Sequence, residues 1–162
     1  MPHGTMTVPR STRQPQSAHT ISTGGDGTPS WTGSNVDVMI DPMDALAERL
    51  RDALNARDMT AFRSLIAEDA RWGDSDLPDG RACFNRNDII ATYKRLLHQG
   101  VTGTVVETIT GPAGVACHIE IEWLDATDRR PTLYQVFLVT DGLVTRINGM
   151  DDRELAIEQI SN

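Results

Sequence analysis

Apolar residues recur through positions 41–74 (DPMDALAERLRDALNARDMTAFRSLIAEDARWGD), first at helical and then at strand spacing. Leu46, Leu50 and Leu54 share one face with Met43 and Ala47, while Asp41 suits the N-cap and Pro42 the first turn of a helix. After the break at NARD, Asp58 can cap a second, shorter helix with the apolar stripe Phe62, Leu65 and Ile66. The run AEDARWGD then switches to a strand that carries Trp72 and Asp74 on one face. Residues 87–97 (NDIIATYKRLL) predict a third helix with Asn87 as cap, Ile89, Ile90, Tyr93, Leu96 and Leu97 as its buried face, and Gly100 as its end. Strands follow at 103–110, 114–124, 131–140 and 143–149, the last two joined by the Asp141-Gly142 turn, and DDRELAIEQI closes the chain as a short helix.

Two of these strands divide their faces differently. In 114–124 the odd positions Val115, Cys117, Ile119, Ile121 and Trp123 are apolar, and His118, Glu120 and Glu122 share the other face. Apolar odd positions favour burial of that side, which leaves the ionisable side for solvent or a dimer surface; a register slip of one residue would exchange the two. Residues 133–139 are apolar on both faces, the pattern of a central strand covered by helices on one side and by a partner or pocket on the other. A homodimer is the expected source of that second cover.

Composition narrows the function classes. A chain of 162 residues with 39% hydrophobic residues is enough for one domain with a core. Residues 1–35 are rich in Ser, Thr, Gly, Pro and Gln and lack apolar periodicity, so they are expected to form a disordered N-terminal tail ahead of a domain at 36–162. Trp31 is the large apolar side chain of that tail, left in solvent or docked on the domain. The net charge of -8 disfavours nucleic acid and anionic membrane surfaces. Apolar runs are too short to span a bilayer and the N-terminus lacks the apolar centre of a secretory signal, so a cytoplasmic location is expected. Cys83 and Cys117 form no CxxC pair, and the histidines at 3, 19, 98 and 118 have no metal-binding spacing, so neither disulfide, metal nor cofactor is expected.

Helix, short helix, polar strand with ARWGD, third helix and long strands resemble, over about residues 41–160, the SnoaL-like branch of the nuclear transport factor 2-like superfamily. The resemblance implies an α+β fold: a cone-shaped barrel with three N-terminal helices packed on a strongly curved antiparallel sheet. It also implies a hydrophobic small molecule as partner. In ketosteroid isomerases the matching strand carries a carboxylate base at the relative position of Asp74, and in limonene epoxide hydrolases a polar, water-holding residue. A carboxylate beside an indole and away from water would titrate nearer neutrality and could move a proton. A loop aspartate that caps a turn in GDSDLPDG is the competing reading.

The remaining family positions are mostly changed. Glu120 and Glu122 fall where limonene epoxide hydrolases place a catalytic Arg and Asp, and Gly149 falls where they place a second Asp, so that activity does not carry over. Leu50 stands for the first-helix tyrosine of ketosteroid isomerases, and Gln135 lies near their protonated Asp, where it can still donate one hydrogen bond. Trp72, Tyr93, Gln135 and His118 are the candidate ligand-binding residues, with Trp72 either a pocket wall or a core aromatic. Arg86 can pair an acidic ligand or Asp88, and Cys83 has no base nearby in sequence. Two functions fit: a cofactor-independent isomerase, cyclase or dehydratase with Asp74 as catalytic base, or a non-catalytic ligand-binding or dimerisation module.

Overall fold

The computed structural model describes residues 39–73, 82–122 and 132–162, and residues 38–162 form a compact unit of their own. The expected tail with Trp31, and Asp74 and Trp123, lie outside the described residues. Along the chain run α1 (Pro42–Asn55), α2 (Met59–Ser64), β1 (Ile66–Trp72), α3 (Arg86–His98), β2 (Thr102–Gly111), β3 (Gly114–Glu122), β4 (Thr132–Thr140), β5 (Leu143–Met150) and α4 (Arg153–Ile160).

The helix starts follow local hydrogen bonding. Asp41 accepts from the Met43 N–H, and Asp58 accepts from the N–H groups of Thr60 and Ala61, satisfying donors that the first turn leaves free. The third cap differs from expectation: it is Asn85, whose Oδ1 accepts from Asp88 N while its Nδ2 donates to the Asp88 carboxylate. Asn87 lies inside the helix, with its side-chain oxygen accepting from Arg63 at 2.7 Å. Asp88 is thereby engaged, and Arg86 donates to the Ile66 carbonyl at 3.3 Å rather than to Asp88. The second helix also ends earlier than its apolar stripe, because Leu65 is its C-cap and Ile66 opens β1.

The sheet runs β1-β5-β4-β3-β2 and is curved but open, so the cone is not a closed barrel. It is mixed rather than wholly antiparallel: β1 pairs parallel with β5, and every other pair is antiparallel. The meander β2 to β5 needs only short turns, whereas β1 is separated from its neighbour by α3 and three strands, the long crossover that a parallel pair requires. At the β4–β5 turn Asp141 and Gly142 both have positive φ, 52° and 77°, as a two-residue hairpin with the favoured twist demands.

The two faces of the sheet carry separate cores. Val115, Cys117, Ile119 and Phe137 pack with Leu46, Leu50, Phe62 and Ile89 of the first three helices. Ala116 and Val136, on the opposite face, pack with Ala156 and Ile160 of α4. The apolar outer face of β4 is thus covered here by the chain's own last helix, and a second copy is not needed to cover Val136. No described helix is long and apolar enough to cross a membrane.

Candidate active site

Between the end of α3, the α1–α2 junction and the inner face of the sheet lies a cavity of about 120 Å³. Its floor comes from Ile119, Ile121 and Leu133, and its sides from Leu54, Met59, Leu96, Leu97, Val101 and Val105. The odd positions of β3 face inward, so the pattern of alternation already identified this wall. The contribution of α1 depends on a contact without a sequence signal. Asn55 accepts from Val105 N at 2.7 Å and donates to Val105 O at 3.2 Å, standing in for a neighbouring strand where the β2–β3 register shifts. That pair sets Leu54 and Val105 side by side.

Polar chemistry enters at few points. Tyr93 lies on α3 with its ring stacked on Trp72 (4.8 Å between centroids) and edge-on to Phe62 (4.7 Å). Its hydroxyl donates to Gln135 Oε1 at 2.6 Å. Gln135 is 3% exposed, so this bond offsets the cost of burying a carboxamide. No acceptor among the described residues meets the Gln135 amide hydrogens, and Gln135 is one of the residues that line the cavity. Trp72 is placed by backbone bonds on both sides: it exchanges two hydrogen bonds with Cys83, at 2.9 and 2.8 Å, and pairs with Ile147 of β5.

Burial pushes the Tyr93 hydroxyl far above the usual phenol range; the nearby Cys117 thiol adds to the rise, and the Gln135 hydrogen bond opposes it. Tyr93 is therefore a neutral donor and no base at neutral pH. Burial likewise pushes Cys117 up to about 12. In the unfolded chain such a thiol ionises near 9.0, whereas in the folded domain it stays protonated, so the folded state holds the extra proton and stability falls as pH rises through that interval. Urea unfolding at pH 8 and pH 10 is expected to show a loss about 1.4 kcal/mol larger for the natural chain than for Cys117→Ala. Equal losses would contradict the burial of that thiol.

Trp72, Tyr93 and Gln135 thus converge on one cavity, but His118 does not. Its ring stacks on Tyr134 (4.7 Å, 18°) on the face of β3 opposite Ile119 and Ile121, with Glu120 and Glu122 exposed. Leu50, at the position of the family's tyrosine, is fully buried core. Cys83 Sγ lies 3.4 Å from Thr92 Oγ1, with no base among the described residues bonded to it. Among the described residues no three His, Cys, Asp or Glu side chains group as a metal site would require. Pattern reading missed several cavity residues, among them Met59, Val101 and the charged Arg57 in the α1–α2 break; a helix terminus gives no periodic signal for where such a side chain goes.

A family model for the SnoaL-like domain matches residues 47–147, from the middle of α1 to the middle of β5. The chain belongs to the SnoaL-like family. Solved structures agree on the fold of this SnoaL-like domain. A candidate ketosteroid isomerase from Kribbella flavida is 28% identical, with a TM-score of 0.52 over 67% of this chain and 76% of that one. IdmH, a candidate polyketide cyclase from Streptomyces antibioticus, is 22% identical, with a TM-score of 0.51 over 74% of this chain and 98% of that one. Bal32a, from a soil-derived mobile gene cassette, is 18% identical, with a TM-score of 0.57 over 75% of this chain and all of that one. A search of curated protein sequences returns no match. The SnoaL-like fold is a small-molecule-binding one.

Proposed function

We propose that this SnoaL-like domain binds a hydrophobic metabolite in the cavity and acts on it by cofactor-independent proton transfer, as an isomerase, cyclase or dehydratase. The observation that carries the reading is an apolar cavity with a single buried polar pair, Tyr93–Gln135, against its wall. A void of about 150 Å³ admits a benzene ring, so a cavity of about 120 Å³ suits one ring or a short branched chain, with the remainder of a larger ligand at the mouth. The ligand's carbonyl would accept from the Gln135 amide, and that bond strengthens as negative charge develops on the oxygen. Asp74, two positions beyond Trp72, is the proposed base, taking the proton from the carbon beside that carbonyl and returning it to another position. Neighbours described as candidate ketosteroid isomerase and polyketide cyclase support this class of chemistry.

The second reading is a binding module without catalysis. It is favoured by one observation: among the described lining residues, neither neutral Tyr93 nor cationic Arg57 can accept a proton at neutral pH.

Both readings require occupancy of the cavity. Acetophenone, a single ring with one carbonyl, is expected to bind the natural protein, and Ile121→Trp, which fills part of the cavity, to weaken that binding by more than tenfold. Calorimetric titration against both proteins measures it, with a thermal melt to confirm that the variant folds. No binding to the natural protein, or unchanged binding to a folded Ile121→Trp, would rule the cavity out as the ligand site.

A further inference from the structure

Arg57 occupies a position whose backbone does not suit it. Its φ is 56°, the left-handed region that costs a residue with a Cβ about 1 kcal/mol. The reason is the end of α1. Arg57 N donates to Leu54 O and Asp58 N to Ala53 O, a paired closure whose residue in this place is usually glycine or asparagine. Backbone preference therefore does not account for an arginine here, and an unfavoured conformation of this kind points to a side chain kept for what it does.

The surroundings of the guanidinium define that role. Arg57 is exposed, yet it also contributes to the cavity lining, so it stands where the cavity meets solvent. Among the described lining residues it is the one with a charge, in a wall otherwise made of aliphatic and aromatic side chains plus Gln135. Its guanidinium has no hydrogen bond or ion pair with any described residue. The adjacent carboxylate, Asp58, is committed to the N–H groups of Thr60 and Ala61. In a chain of net charge -8, a cation without a partner among the described residues, at the rim of an apolar cavity, reverses locally a field that would otherwise repel anions.

We infer that the ligand is an amphipathic acid: an apolar body enters the cavity, and a carboxylate at its outer end pairs with Arg57. A planar guanidinium matches a carboxylate through two parallel hydrogen bonds, and a neutral ester or amide cannot complete that pairing. The inference rests on the cavity being the ligand site, as proposed above, and adds the charge and orientation of what enters it.

Calorimetric titration with 3-phenylpropanoate and with its methyl ester tests it, in the natural protein and in the variants Arg57→Gln and Arg57→Gly, with acetophenone as the neutral reference. The natural protein is expected to bind the acid about tenfold more tightly than the ester, the low end of what a hydrogen bond to a charged group gives. Both variants are expected to lose that preference while their affinity for the ester and for acetophenone holds. Arg57→Gly, relieved of the left-handed penalty, is expected to melt no lower than the natural chain, so its lost affinity for the acid is not a folding defect. Equal binding of acid and ester by the natural protein overturns the inference and leaves the pocket reading in place. A preference for the acid that persists in Arg57→Gln and Arg57→Gly also overturns it. Failure of acid, ester and acetophenone alike to bind sinks the pocket reading and this inference with it.

Discussion

Asp74→Asn is expected to slow proton exchange at the carbon beside a bound ketone by two to four orders of magnitude, roughly the contribution of a positioned general base. The measurement needs no knowledge of the natural substrate. Acetophenone in deuterated water exchanges its methyl protons whenever a base in the site removes them, and proton nuclear magnetic resonance follows the loss of that signal. An amide keeps the size and polarity of the carboxylate but cannot take up a proton at neutral pH, so the dissociation constant for acetophenone is expected to stay within about a factor of two. Affinity and rate then separate. Tyr93 cannot replace the missing base, since its hydroxyl stays protonated and is bonded to Gln135. If Asp74 instead caps a turn in GDSDLPDG, Asp74→Asn costs a few tenths to about 1 kcal/mol of stability and leaves exchange untouched. Natural protein that exchanges acetophenone no faster than buffer would favour the binding module over the enzyme.

Gly114→Ala is the second change with a large expected effect, on stability rather than rate. Gly114 opens β3 opposite Leu138, and a Cβ there would run into the Phe137 carbonyl oxygen and the Leu138 Cα of β4. Both are backbone atoms of a paired strand, so neither can swing aside as a side chain would. The strands must part at the point where Val115, Ala116, Cys117 and Phe137 are fully buried. A loss of about 3 kcal/mol or more is expected, lowering the melting temperature by roughly 10 °C. Gly142→Ala makes the control. That glycine has φ 77° and nothing within 4 Å of an added Cβ, so only the conformational penalty applies, about 1 kcal/mol. Equal melting points for the two variants would refute the close approach at Gly114.

Much of this architecture is legible in the chain because hydrophobic period and cap chemistry are local. Leu46, Leu50 and Leu54 on one face, Asp41 and Asp58 before their helices, and the Asp141-Gly142 turn each state their structure within a few residues. The misassigned cap follows from the same locality: Asn85 and Asn87 are equally good caps in isolation, and the choice depends on Arg63, 24 residues away, which engages Asn87. The alternation of β3 likewise determined its inward face, and so two cavity residues, Ile119 and Ile121. It could not determine what covered the outer face of β4, because α4 arrives from the far end of the chain.

The site divides along the same line. Sequence by itself determined the element order, the buried faces and the aromatic and amide candidates Trp72, Tyr93 and Gln135, since each sits on a strongly patterned element. Tertiary structure decided which of them meet. Tyr93 and Gln135 are 42 residues apart and share one hydrogen bond only because α3, packed against β1 and α2, sends the Tyr93 side chain to the inner face of β4. His118, as promising by residue type, lies on the far side of the sheet, because neighbouring residues of a strand point in opposite directions. The parallel placement of β1, the Asn55 clasp on β2 and the position of Arg57 at the cavity mouth were decided there as well. Each depends on pairing between distant segments, whose free energy comes from burial in the assembled fold rather than from any local preference of the chain.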